Sequence, residues 1–548
     1  MKKLTTFISI ILIISIYVLV FAGCGGTETG EKKQPEEAAK GEADQEKSDD
    51  EVVVRLDTND EGYPQPFTHH ARGPGRSKMR LIFDSLLERG ENGHIPWLAK
   101  DWEVSEDGTE YTFYIREGIE WQDGEELTAE DVAFSFEYYQ DHPPVDISEP
   151  VVFDILEDIE VLDDYKVKMT TERAHAPYVL EAGEMRIIPK HIWEDIDDPQ
   201  QFTDEEAVIG SGPYKLKEYN EEHSTYEFEA NPDFWGPKQK VDVLQYRPVS
   251  DEVMALENND IDQAEIPEDV LQRFEDDPTY EIAERPGVWA YRLRINFDNV
   301  SWLNEQKARQ ALAYAIDREN IINTVARGAG IPGNMGLLPP DHHMHNPDVP
   351  EYEHDPDKAR ELMEKADVID NNEEVSVEII VGDDQEEVRM AELLRQDLRE
   401  IGIDLEINSM DSQARDSQSK EGNYELAIMG HGGWGDDPEN YFSIRFDDAK
   451  EGTGIYGGIP GYENEDVDLI REKQREELDE EKREELIKQV QEIWAEDIPE
   501  IPLYYVTGHY VYNKDVYDNW TFVYNHHSID QHKITYLDRD DEIFEEDK

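Results

Sequence analysis

Across 548 residues the chain has a single cysteine, Cys24, so no disulfide can close within it. Basic residues are scarce: 52 Lys and Arg stand against 130 Asp and Glu, for a formal net charge of -78. A surface this poor in cations repels phosphate backbones and anionic headgroups, which excludes nucleic acid as a partner. Catalytic signatures are missing as well. There is no phosphate-cradling Gly-Lys loop, no nucleophile elbow, no ordered acid–His–Ser set and no metalloprotease His-Glu spacing. The chain is therefore expected not to be an enzyme, with no catalytic residue, cofactor or metal site. No repeat of fixed period occurs, which argues against a solenoid.

What is present is a foldable body. Hydrophobic residues make up 38% and aromatics 10%, enough for several cores, and the length predicts about three domains. The acids are spread over the whole chain, the pattern of a solvated surface kept soluble where salt screens its self-repulsion; adaptation to high salt is expected. Lys2 and Lys3 precede an apolar run from Phe7 to Gly23, and Cys24 follows it directly. Phe21-Ala22-Gly23-Cys24 resembles a bacterial lipoprotein signal, with Phe21 where Leu is usual. It predicts export and a lipid on Cys24, on the extracytoplasmic face of the membrane. The alternative is a retained anchor, since the run nearly reaches spanning length. Residues 25–50 hold no large apolar side chain and read as a tether.

Along the body, Val52 to Leu56 reads as a strand, 62–75 as irregular loop, and Met79 to Leu87 as a helix. Thr109 to Arg116 alternates with period two, Asp123-Gly124 turns the chain, and Thr128 stands three residues before Asp131 as a helix cap. Glu305 to Ile316 is helical, with a second helix capped by Asp317. Val375 to Val381, a helix from Glu386 to Ile401 closed by Gly402, and Ile403 to Ile407 predict a parallel βαβ unit. Val467 to Ile498 reads as one long charged helix with Leu486, Ile487, Val490, Ile493 and Trp494 as its buried stripe.

The stretch Glu425 to Phe442 carries the most chemistry. A short apolar run, Leu426 to Met429, breaks at Gly430, Gly432, Gly433 and Gly435 into a loop bearing Trp434 and the adjacent acids Asp436 and Asp437 before Pro438. By its residues alone it is equally a solvated turn or a ligand loop. Asp341-His342-His343-Met344-His345 and His69-His70 are the rival clusters for metal, but flanking prolines mark the first as an exposed loop.

The order of motifs decides between them. Pro96-Trp97-Leu98-Ala99, Tyr111 to Arg116, Asp123-Gly124, Thr128 to Val132, Gly210-Ser-Gly-Pro-Tyr214, Asn231 to Trp235, Ala308-Arg-Gln-Ala311 with Tyr314 to Arg318, Asp355 to Ala359 and Ile501-Pro-Leu-Tyr504 resemble, in sequence order, the family 5 extracellular solute-binding proteins. These are the receptors of peptide and nickel ABC importers. The resemblance covers about residues 50 to 515. It implies an α/β, two-lobed periplasmic-binding-protein fold of class II with an additional small α+β domain. The implied layout is a signal at 1–24, a tether at 25–50, lobe I from 51–93, 206–297 and 508–548, the small domain at 94–205 and lobe II at 298–507. The hinge is expected near Asn296 and Leu503.

It also implies a peptide-like solute held in the interlobe cleft, importer permease subunits as partners, and a monomer. In peptide receptors of this family a Trp-bearing loop at this place carries an Asp that pairs with the peptide's amino terminus. Trp434, Asp436 or Asp437, and Tyr441 are the matching candidates, in a loop about two residues shorter, with Trp289, Tyr291 and Arg72 as further cleft contacts. A nickel or metal-chelate receptor, an oligosaccharide receptor and a peptide sensor without transport remain as alternatives.

Overall fold

The computed structural model describes residues 51–70, 73–91, 93–145, 151–340, 342–368, 375–432, 437–439, 441–442, 458–521 and 531–544. Cys24 and the expected signal and tether, and also Arg72, Trp434 and Asp436, lie outside the described residues.

Three larger β-sheets organise the chain. In the first, Val53–Asp57 runs parallel to Val243–Arg247, which pairs antiparallel with Thr225–Ala230 and that in turn with Tyr214–Asn220. The second is antiparallel, in the order Ala99–Val104, Glu110–Ile115, Lys166–Thr171, Leu156–Asp163. Its strand Glu110–Ile115 has the alternation read from the sequence, with Tyr111, Phe113 and Ile115 buried. The helix Ala129–Asp141 that follows starts on the predicted capping box of Thr128 and Asp131.

The third sheet has seven strands. Its main path runs Gln263–Ile266, Glu500–Asn513, Tyr280–Ile295, Leu426–Gly432, Val375–Gly382, Ile403–Met410, and Gly330–Pro332 pairs on Glu500–Asn513. Val375–Gly382 and Ile403–Met410 are parallel and joined by the helix Gln385–Glu400, the expected βαβ unit. Gly402, with φ at +83°, reverses the chain between helix and strand. The two long strands Tyr280–Ile295 and Glu500–Asn513 pair along most of their length, but their register breaks between Arg285 and Trp289, opposite Val506 to Gly508.

Two expectations are corrected. The first helix spans Gly73–Ile82, so it begins inside the stretch read as loop and stops before Leu87, which opens a short strand. Pro74 is tolerated there because the first helical turn has no partner for its N–H. The single long helix at 467–498 is two, Glu465–Glu476 and Glu480–Asp497, each capped by its preceding side chain, Asn464 and Asp479. The break falls at Glu477, Leu478 and Asp479.

Candidate ligand-binding site

The parallel strands Val375–Gly382, Ile403–Met410 and Leu426–Gly432 all end on the same side of the seven-stranded sheet. Strand carboxyl ends are where open α/β sheets bind ligands, because the loops leaving them converge and helix amino termini point the same way. The loop that carries Trp434 and Asp436 leaves from Gly432 at this edge. On the neighbouring strand Trp289 pairs with Gly432 and Tyr291 with Gly430. A methyl group on Gly430 would fall 1.8 Å from the Trp289 ring, so the absence of a side chain there is what lets the indole lie flat across the strand.

Trp289 meets Tyr291 edge to face at 4.5 Å between ring centres, and Tyr291 lies 5.4 Å from Tyr504 on the next strand. The Tyr291 hydroxyl donates to Glu386 at 3.2 Å. Burial, helped by nearby carboxylates, pushes the Tyr291 phenol far above its ordinary value, so it stays protonated and keeps its proton for Glu386. Tyr504 and Val506 line a cavity of about 680 Å³. Its other walls include Glu386 and Arg389 at the start of the helix Gln385–Glu400, and Glu265 to Glu268 beyond the register break. Tyr504, at the end of this aromatic ladder, thus borders a cavity of the size that takes a small solute.

The base of the loop is built differently. Asp437, one of the two candidate acids, is 6% exposed and meets Arg483 through two bonds, at 2.6 and 2.7 Å. Its Oδ1 also accepts from the Glu439 amide. Burial opposes its ionisation, but the Arg483 charge and these bonds outweigh it and hold the carboxyl below its usual range. Glu439, 1% exposed, accepts from Arg471, Arg475 and Gln474. Asp437 is therefore committed to structure, which its sequence context does not show.

Tyr441 likewise is a core side chain, 1% exposed and edge-on to His342 at 6.0 Å. Its aromatic character placed it among the ligand candidates, but packing uses it. Trp121 is also buried in a core. His342 and His343 stack at 4.7 Å, and the His342 ring accepts from the Met344 amide. Among the described residues no three His, Cys, Asp or Glu side chains converge as a metal site would require. His69 bonds to the Gln65 carbonyl while His70 faces Glu61, so that pair is divided between two tasks. Sequence reading missed Glu386 and Tyr504 as site residues; the pairing of Tyr291 with Tyr504 is a register fact with no local signal.

Comparison with known proteins places these features in a family. The profile of the bacterial extracellular solute-binding proteins, family 5 (middle region), matches residues 94–453, more than half of the chain. The chain belongs to this family. Family 5 relatives include the dipeptide-binding protein of Escherichia coli (strain K12), 28% identical over 482 residues, covering 82% of this chain and 88% of that one. The nickel-binding periplasmic protein of the same organism is 26% identical, over 69% of this chain and 75% of its own. Among solved structures, the periplasmic binding protein DppA of Helicobacter pylori in complex with the peptide STSA superposes with a TM-score of 0.73 over 88% of this chain and 98% of that one, at 24% identity. The fold is the two-lobed α/β fold of periplasmic binding proteins. Among the described residues no helix is long and apolar enough to cross a membrane.

Proposed function

We propose that this family 5 protein is the extracytoplasmic receptor of an ABC importer, tethered by a lipid on Cys24, that captures a peptide-like solute between its lobes and delivers it to the permease as a monomer. The lobes we assign are 51–93 with 206–297 and 508–548, and 298–507, with 94–205 as the extra domain. Relatives named for dipeptide binding support the solute class. The observation that carries the site assignment is the double bond between Asp437 and Arg483. A buried carboxylate that already accepts both Arg483 bonds and the Glu439 amide has its charge compensated within the protein, so the amine clamp falls to Asp436, with Trp434, Trp289 and Tyr291 as apolar walls.

Closure would turn on the register break between Arg285 and Trp289, opposite Val506 to Gly508, which comes before the Asn296 and after the Leu503 positions expected from sequence; a second shift, between Tyr291 and Arg292 opposite Tyr504 and Pro502, falls at Leu503. A bulge is where paired strands bend most easily.

Calorimetric titration with alanyl-alanine and with its N-acetyl form tests the clamp. The free amine is expected to bind and the acetylated form to lose about 1.5–3 kcal/mol, with Asp436→Asn abolishing the difference. Equal affinities for both peptides in the wild type would reject it, and heat from nickel–histidine in place of the peptide would favour the metal-chelate alternative. Mass spectrometry of the amino-terminal peptide, expected to carry acyl chains on Cys24, tests the anchor.

A further inference from the structure

A second cavity, of about 660 Å³, opens beside the helix Arg318–Val325 and shares no lining residue with the one bordered by Tyr504. Arg318 lines it. The residue is 7% exposed, and backbone carbonyls hold its guanidinium: Nε donates to Pro502 at 3.0 Å, and Nη1 to Tyr352 and Ala313 at 3.1 and 3.2 Å. Nη2 meets no acceptor in the protein. Other buried guanidinia have an acid: Arg292 meets Glu500, Arg309 meets Asp497, Arg415 meets Glu387 and Arg483 meets Asp437. Among the described residues Arg318 has none, and burial alone pushes its guanidinium down to about 10, with no carboxylate to raise it. A buried cation without an anion carries a desolvation cost that a carboxylate brought against it offsets.

The rest of the cavity is divided by chemistry. Pro332, Met335, Val349 and Pro350 make an apolar wall whose proline rings hold the backbone rigid. Tyr352 adds its ring, with the hydroxyl donating to the Ala495 carbonyl at 3.1 Å. Glu319, Glu351 and Glu353, all exposed, make the mouth negative. Asp317, the fourth acid of the lining, caps the helix and accepts from the Asn320 amide at 2.9 Å. His345 and His354 complete the polar lining. None of these acids bears on the Arg318 guanidinium, so the cavity has two separate poles, a buried positive one and an exposed negative one, with apolar surface beside them.

We propose that this cavity binds a free α-amino acid with an apolar side chain, its carboxylate on Arg318, its ammonium among Glu319, Glu351 and Glu353, and its side chain against Pro332, Met335 and Val349. Nη2 of Arg318 supplies a charged donor to the carboxylate, a contact that strengthens away from water. Charge sets the selection. A simple anion has to pass three glutamates and gains nothing from the apolar wall, and a simple amine leaves Arg318 without its anion. The volume suits a small ligand of this kind. The site is independent of the ligand loop and of the reading of the protein as a receptor, and it stands whether or not the cleft takes peptides.

Nuclear magnetic resonance of the methionine methyl groups in the full chain reports the site, with the Met335 signal assigned by Met335→Leu. L-Phenylalanine is expected to shift the Met335 signal saturably. N-Acetyl-L-phenylalanine lacks the ammonium and 2-phenylethylamine lacks the carboxylate; each is expected to bind about tenfold more weakly at that signal. Glu351→Gln combined with Glu353→Gln, both at exposed positions, should narrow the gap between phenylalanine and its acetyl form, and Arg318→Gln should abolish phenylalanine binding. If Arg318→Gln fails to fold, the 2-phenylethylamine arm in the wild type tests the same contact. No saturable shift at Met335, or shifts confined to other methionines, would overturn the site. Equal affinities for the three ligands would reveal an apolar groove without charge selection and overturn it as well.

Discussion

Two buried charge clusters in this protein use the same chemistry to opposite ends. In the first, Asp84 and Glu88 share Lys533, at 2.6 Å each, and all three are fully buried. Asp84 also accepts from the indoles of Trp97 and Trp235 and from Ser211, while Glu88 meets Arg186 and His532. Five segments far apart in sequence are thereby joined, with both acids saturated by donors. In the second cluster, Asp437 and Glu439 are equally well held by Arg483, Arg471 and Arg475, but these partners all come from the two helices that follow the acids in sequence. The first cluster is a long-range joint; the second braces the base of a loop against its neighbouring helices. The difference lies in where along the chain the donors come from, not in the depth of burial.

The sharpest way to break the comparison is Lys533→Met. It strands two buried carboxylates and is expected to cost about 5 kcal/mol in urea unfolding, with or without ligand. Asp437→Asn strands Arg483 alone and is expected to cost about 3 kcal/mol by the same measurement. Asp436→Asn, one residue away, should alter stability by less than about 0.5 kcal/mol. A stability loss at position 436 matching that at 437 would show that both acids are structural.

Acid titration sharpens the comparison further. Burial works against Glu88, but Lys533, Arg186 and His532 hold its carboxyl well below the ordinary 4.5. Asp437 is depressed as well. Their contribution is complete above the unfolded-state values and is lost as pH falls through the depressed ones, so unfolding followed by circular dichroism should set in below about pH 4.

Asp397 is the counter-case. Burial raises it to about 6, against the Asp317 amide and His354, which lower it. A raised carboxyl detracts from stability above its folded value and the penalty fades as pH falls through it. Asp397→Asn should therefore stabilise by about 1 kcal/mol at pH 8, discounted for its partial exposure, and by about half as much at pH 5, the gain vanishing only near the ordinary carboxyl value. The smallest effect per residue is diffuse: with a net charge of -78, the melting temperature should rise between dilute and molar KCl, and a flat response would remove the proposed salt adaptation.

Local grammar was legible where local forces decide. The capping box at Thr128 and Asp131, the alternation of Glu110–Ile115 and the βαβ unit closed by Gly402 follow from hydrogen bonds and periodicities within a few residues. The helix at Gly73–Ile82 was hidden because a stretch rich in Gly and Pro has no helical propensity, and its face is held by tertiary packing of Met79 and Ile82. Arg471, Gln474 and Arg475 did carry a signal: they share one helix face at intervals of three and four. In so charged a segment that face reads as solvated until Glu439 is brought against it.

By itself the sequence determined the family, through motifs whose order survives substitution, and with it the two-lobed fold. Only the tertiary structure decided what Asp437 does. Asp436 and Asp437 are the same residue type on one loop, and nothing local distinguishes them. The distinction comes from Arg483, 46 residues away, because an ion pair is fixed by where two chains meet in space and not by the composition of either.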